Sequence, residues 1–134
     1  MRIRSMLLVS FIAVPVSLGF GASQALADGE GEYMRSCAVC HGADGRSNTS
    51  FSDLLNVAPP NLTTLAAQND GEYPMLRVIQ MIDGRSGLRG HGSEMPIWGD
   101  RYVGEADLSG QYGAELIVRG RVLELAEYIA TLQE

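Results

Sequence analysis

Apolar residues recur at helical spacing in several stretches of the chain. In residues 114–132 they lie three or four positions apart, on one face of a helix; they are Val118, Val122, Leu125, Ala126, Ile129 and Leu132. Residues 74–84 repeat this pattern and are bounded by a proline and a glycine, which suit a helix start and a helix end. Residues 28–39 carry acidic side chains early, where the helix macrodipole favours them. The pattern predicts three helices, with one or two further helical turns over residues 62–68.

The segments between these helices have the composition of loops. Residues 42–60 and 85–110 are rich in Gly, Pro, Ser, Asn and Asp, and no stretch of convincing length alternates apolar and polar residues. We therefore predict an all-α fold of about three to five helices with long loops. Such loops are unusual in a small domain unless a buried group orders them. Gly120 lies inside the last helix, where it is unfavourable by about 1 kcal/mol relative to alanine unless close packing requires it.

The N-terminal segment has the layout of a secretory signal peptide. Arg2 and Arg4 precede a mostly apolar run over residues 6–20, and a small-residue Ala-Leu-Ala site ends at residue 27. We predict that residues 1–27 are removed and that residues 28–134 form one domain. The alternative is a retained membrane anchor, although the apolar run is shorter than the hydrocarbon core of a bilayer.

Composition and charge exclude several classes of protein. A chain of 134 residues accommodates one domain and is too short for a Rossmann or TIM-type enzyme. Ten arginines, no lysine and sixteen acidic residues give a formal charge of −6, and removal of the signal peptide would make it −8. This acidity argues against nonspecific nucleic-acid binding, which needs a basic surface. Two cysteines are too few for a disulfide scaffold.

The candidate chemistry lies in the segment Cys37-Ala38-Val39-Cys40-His41. Two thiols three positions apart on a helical turn can reach the two vinyl groups of one haem, and the adjacent histidine can bind the iron. A thioredoxin-like redox pair would need a βαβ context, which the sequence lacks. A zinc site would need a second ligand pair, and only His91 remains. The motif therefore predicts one covalent haem c, held by Cys37 and Cys40, with His41 as the proximal iron ligand.

With this motif the chain resembles the class I cytochrome c family over essentially the whole of residues 28–134. Gly29 and Tyr33 are similar to the glycine and aromatic residue that precede the family's haem motif, and residues 125–129 are similar to its C-terminal helix. The resemblance implies that these two helices cross and that the glycine permits a close approach. The segment Pro60-Asn61-Leu62 is similar to the family's Pro-x-Leu, which implies that the Pro60 carbonyl accepts a hydrogen bond from Nδ1–H of the ligating histidine.

The resemblance also implies a distal iron ligand late in the chain, where Met95 is followed by Pro96. A thioether favours ferrous iron, and the proline stiffens the ligand loop. His91 is the rival ligand and would give a low-potential haem with two histidines; an open sixth site is the third alternative. Of the other methionines, Met34 on the first helix is predicted to serve in packing, and nothing in the context of Met75 and Met81 marks them as ligands.

Three further residues are candidates for contacts with the haem. Trp98 could pack at the haem edge with its indole N–H directed at a propionate, or could simply belong to the core. Arg85 and Arg89 could pair with propionates, because the guanidinium fork matches a carboxylate, or could be solvated loop charges.

The expected function is that of a monohaem c-type cytochrome, a one-electron carrier and not an enzyme. After cleavage of the signal peptide we expect a periplasmic monomer without a membrane span. It should dock transiently on redox proteins that have basic patches, and it should bind no nucleic acid. One alternative is a cytochrome subunit bound permanently in a dehydrogenase or oxidase complex. Another is a haem peroxidase or gas-binding protein with an open sixth site.

Overall fold

The computed structural model describes residues 24–87, 95–106 and 110–134, and over these ranges the chain is helical and has no strand. The helices are α1 (Gln24–Ser36), α2 (Ala38–His41), α3 (Met75–Asp83), α4 (Trp98–Glu105) and α5 (Gly110–Thr131). Two short 3₁₀ turns cover Ser52–Leu54 and Leu62–Thr64. The predicted all-α class is confirmed. None of the helices in these ranges combines the length and apolar character needed to cross a bilayer.

Helix α5 forms the centre of the core. Its predicted apolar face is buried at Val118, Val122, Leu125, Ala126 and Ile129, and Leu132, just beyond the helix, is partly buried. Helices α1, α3 and α4 pack against α5. The burial follows from the helical spacing, because residues three or four positions apart share one side of a helix.

Helix α1 approaches α5 closely at a glycine. A Cβ atom on Gly29 would lie 2.5 Å from the carbonyl oxygen of Glu124 and 3.2 Å from Cβ of Tyr128. One helical turn later the ring of Tyr33 meets that of Tyr128, with centroids 5.1 Å apart. The expected close approach of the two terminal helices is therefore present, and it requires a residue without a side chain at position 29.

Two helical glycines should respond in opposite ways to substitution by alanine. Gly29→Ala forces α1 away from backbone atoms of α5, and we expect it to lower the free energy of unfolding by about 1–3 kcal/mol. Gly120→Ala should raise it by about 0.5–1 kcal/mol, because a Cβ there meets nothing within 4 Å among the described residues. Thermal melting monitored by circular dichroism measures both changes. A Gly29→Ala protein as stable as the parent would contradict the close approach.

Three sequence predictions differ from the structure. The last helix, predicted over residues 114–132, spans Gly110–Thr131. The helix predicted over residues 28–39 begins at Gln24 and ends at Ser36, and α2 follows after a turn at Cys37. Residues 85–110 are predicted as a loop because they are rich in glycine, but they contain α4. Gly99 is buried in α4 against the end of α3, where a Cβ would lie 2.7 Å from the carbonyl oxygen of Asp83. This glycine serves close packing and does not mark a loop.

Candidate functional site

Cys37 lies on the tight turn between α1 and α2, and Cys40 lies within α2. Backbone N–H of Cys37 donates to the carbonyl of Tyr33 at 2.8 Å, and N–H of His41 donates to the carbonyl of Cys37 at 2.9 Å. Cys37 and His41 are buried and Cys40 is partly buried. Neither thiol takes part in a disulfide. The turn therefore places two thiols and an imidazole within five consecutive residues.

The carbonyls at the end of α2 all have hydrogen-bond donors, which fixes the motif in one conformation. The donor and acceptor pairs are Tyr33 Oη to Gly42, Ser52 Oγ to Cys40, Thr49 Oγ1 to Val39 and Ser47 N to His41, at 2.7, 2.7, 3.0 and 2.8 Å. A helix end normally leaves such carbonyls without partners inside the helix. Here hydroxyl groups from α1 and from the following loop satisfy three of them. The motif is thus held by side chains on both sides.

A backbone carbonyl orients the His41 ring. Nδ1 of His41 lies 3.3 Å from the carbonyl oxygen of Pro60. A carbonyl oxygen can only accept, so Nδ1 carries the hydrogen, and in the neutral ring Nε2 carries the lone pair. This is the tautomer in which a histidine binds a metal through Nε2.

An apolar cavity of about 400 Å³ joins the motif to distant parts of the chain. Its lining includes Cys37, His41, Pro60 and Met95. Leu62, Leu65, Val78, Ile82 and Ile129 are among its apolar lining residues. The volume lies within the roughly 300–1,000 Å³ typical of small-molecule and cofactor sites. Four sequence-predicted site residues, separated by up to 58 positions, thus share one cavity.

Helix α3 and the proline that precedes it line one side of the cavity, and Arg77 in this helix is not among the sequence-predicted site residues. Pro74, Arg77, Val78, Met81 and Ile82 follow the spacing of one helical face, and all five line the cavity. Arg77 is exposed, so it lies where the cavity meets solvent, and no carboxylate of a described residue pairs with it. Arg77 could have been identified from the sequence as the one arginine among the apolar residues of segment 74–84.

The other predicted contacts lie elsewhere. Trp98 is buried in α4, where its ring lies 5.8 Å from that of Tyr102 and packs outside the cavity lining. The Arg85 guanidinium bonds to Asp83 at 2.7 Å and to Glu115 at 2.8 Å, and it does not line the cavity either. Arg89 and His91 lie outside the described residues.

Burial controls the protonation of the motif thiols. Burial, followed by the electrostatic influence of Glu32 and of Cys40, raises the pKa of the Cys37 thiol to about 12. Burial also raises the pKa of Cys40. Both groups are therefore protonated thiols at neutral pH in the protein described. The hydroxyl of Tyr33, which holds the end of α2, likewise has its pKa raised by burial and so remains a donor.

The described residues contain no cluster of three His, Cys, Asp or Glu side chains that could hold a metal ion without a further ligand. Comparison of the chain with protein-family models, with curated proteins and with solved structures finds no match in any of the three.

Proposed function

We propose that this protein is a monohaem c-type cytochrome that carries single electrons between redox proteins. The observation that carries the proposal is the shared cavity, which is lined by Cys37, by His41 with its oriented imidazole and by Met95. Cys40 does not line the cavity and lies three residues after Cys37, within the adjoining helix α2. These are the groups that attach a haem covalently and bind its iron on two sides. They come from α2 and from a loop more than fifty residues away, so their meeting is a property of the fold.

The cavity suits a haem in its lining as well as in its donor set. Leucine, valine and isoleucine side chains contribute to its wall, which suits an apolar macrocycle. Arg77 offers a cation at the exposed side, where the two propionates of a haem need charge and solvent. A haem would also replace the open volume with packed apolar contacts and so add to the core of a short chain.

Each residue of the site has a distinct task. Cys37 and Cys40 would each add an S–H bond across a vinyl group, which moves the thiol hydrogen to carbon and needs no oxidant. Nε2 of His41 and the sulfur of Met95 would bind the iron. A haem bound there supplies reversible one-electron exchange at its iron. The apolar part of the wall would limit contact of a bound haem with water, and the hydrogen-bonded carbonyls of α2 would limit movement of His41 between the two oxidation states.

The acidic composition supports an association with basic partners. We propose that residues 1–27 direct export to the periplasm and are then removed. The remaining residues 28–134 have a formal charge of −8. Opposite charge on a redox partner would steer the encounter and raise the association rate, and salt would reduce that effect. A weak and transient interface suits a carrier that must release its partner after each electron.

A redox titration of the purified protein tests the proposal. We expect the haem absorption bands to change reversibly between an oxidised and a reduced form, with a midpoint slope that corresponds to one electron. A chain that binds no haem, or one whose haem is not reversibly reduced, would contradict the proposal.

Arg77 should raise the midpoint potential, because a cation near the haem favours the reduced form, which carries one positive charge less. For Arg77→Gln we expect the ratio of reduced to oxidised haem at the parent midpoint to fall up to about fivefold, as an exposed ion pair worth up to about 1 kcal/mol allows. Arg119→Gln is the matched control, since it removes the same charge from an exposed residue outside the cavity. Equal shifts for the two variants would argue against a specific contact of Arg77.

A second candidate function, that of a cytochrome bound permanently in a larger redox complex, is favoured by the outer face of α5. Tyr112, Leu116 and Leu123 lie near one face of this helix and are 90%, 72% and 42% exposed. Size-exclusion of the native protein from cell extract separates the two functions. A free carrier elutes at the size of one domain, and a bound subunit elutes in a complex that Leu116→Glu dissociates.

A further inference from the structure

Ser47 adopts a strained backbone conformation next to the proposed iron ligand. Its φ angle is +58°, in the left-handed region that residues other than glycine rarely occupy. In this conformation its N–H donates to the carbonyl of His41 at 2.8 Å, and its hydroxyl donates to the carbonyl of Pro60 at 2.6 Å. These two hydrogen bonds offset the backbone strain. One is made to the carbonyl of His41 itself, and the other to the carbonyl that contacts the His41 ring.

The Pro60 carbonyl therefore has two donors of unequal strength. The Ser47 hydroxyl lies at 2.6 Å, whereas Nδ1 of His41 lies at 3.3 Å, which is longer than the usual 2.9–3.0 Å for such a bond. Nδ1–H of His41 also makes a longer contact with the Ser47 hydroxyl oxygen, which accepts at 3.4 Å. One carbonyl oxygen can accept two bonds, but its electron density is then shared between them. Ser47 makes the shorter hydrogen bond and therefore draws more of the electron density of the carbonyl oxygen.

Backbone contacts keep this arrangement in register. The N–H of Leu62, two residues after Pro60, donates to the carbonyl of Gly45 at 2.7 Å. This bond ties the segment that carries the carbonyl to the loop that carries Ser47. The Ser47 hydroxyl and the Pro60 carbonyl are therefore held close to each other by the backbone. The position of the Pro60 carbonyl oxygen does not depend on its contact with His41 alone.

We propose that Ser47 is a positioning residue that sets the basicity of His41 and thereby raises the midpoint potential of the haem. This rests on the proposed function. A strong bond from Nδ1–H to an acceptor makes an imidazole ligand more basic, which favours the oxidised metal. By occupying the Pro60 carbonyl, the Ser47 hydroxyl keeps the Nδ1–H bond weak and the ligand less basic.

Two substitutions at Ser47 separate the hydroxyl from the backbone. Ser47→Ala and Ser47→Gly both remove the hydroxyl, but only glycine relieves the left-handed conformation. In both we expect the Nδ1–H resonance of His41 in the reduced protein to move downfield. The ratio of reduced to oxidised haem at the parent midpoint should fall roughly threefold, the scale of a changed hydrogen bond. The exposed Ser50→Ala is the control and should change neither quantity.

The outcomes distinguish this inference from the proposed function. Variants that carry haem but keep the parent potential and the parent Nδ1–H resonance would overturn the role of Ser47 and leave the cytochrome proposal intact. A rise of the potential in both variants would show that the hydroxyl only positions the carbonyl, and would overturn the sharing of the acceptor. A parent chain without haem would instead overturn the proposed function.

Discussion

Replacement of both Cys37 and Cys40 with alanine should leave a protein that carries no covalently attached haem. The chain has no other cysteine, so no other thioether can form. We expect haem to remain with the parent chain after extraction with acidified acetone and to leave the double variant completely. Haem staining of a denaturing gel measures this difference.

The single variants and a surface variant serve as controls for this experiment. Cys37→Ala and Cys40→Ala should each retain at most one thioether, and Ser50→Ala should retain both. Haem that stays with the double variant after extraction would contradict attachment through these thiols. Haem that leaves the parent as readily as the double variant would contradict it as well.

Met95→Ala should remove the distal ligand. We expect loss of the weak far-red charge-transfer band that methionine ligation gives to ferric haem. We also expect a fall of the midpoint potential on the order of 0.1–0.3 V, within the roughly 0.8 V that axial ligands and surroundings control. Optical spectra of the oxidised protein and a redox titration provide both measurements.

The matched control for this variant is Met81→Ala, because Met81 is the other methionine that lines the cavity. It should keep the far-red band and shift the potential much less. Loss of the band in Met81→Ala, with retention in Met95→Ala, would transfer the ligand role to α3. A parent protein without the band, with high-spin features and rapid turnover of peroxide, would favour an open sixth site and enzymatic chemistry.

The core of the fold could be predicted from the sequence where helical spacing and burial coincide. The apolar stripe of α5 is buried from Val118 to Ile129, and Leu132, the last residue predicted on it, is partly buried. Gly29 could be assigned to a close helix approach only through the family resemblance, since a glycine alone equally suits a turn. The structure decides this by placing the carbonyl of Glu124 against it.

The parts of the site that the sequence did not reveal depend on contacts between distant residues. Arg85 was a candidate for a propionate contact, but its guanidinium bonds to Glu115 thirty residues later in the chain. Ser47 looked like any loop serine, because its importance depends on a positive φ that its residue type disfavours. Trp98 could have faced the haem or the core, and only packing against Tyr102 decides between them.

The most direct test of the account is the intact mass of the protein, purified after expression in cells able to attach haem c, together with its spectrum in alkaline pyridine. We expect the mass of residues 28–134 plus one haem, retained under denaturing conditions, and the spectrum of a haem joined through two thioethers. A denatured chain whose mass includes no haem would contradict it.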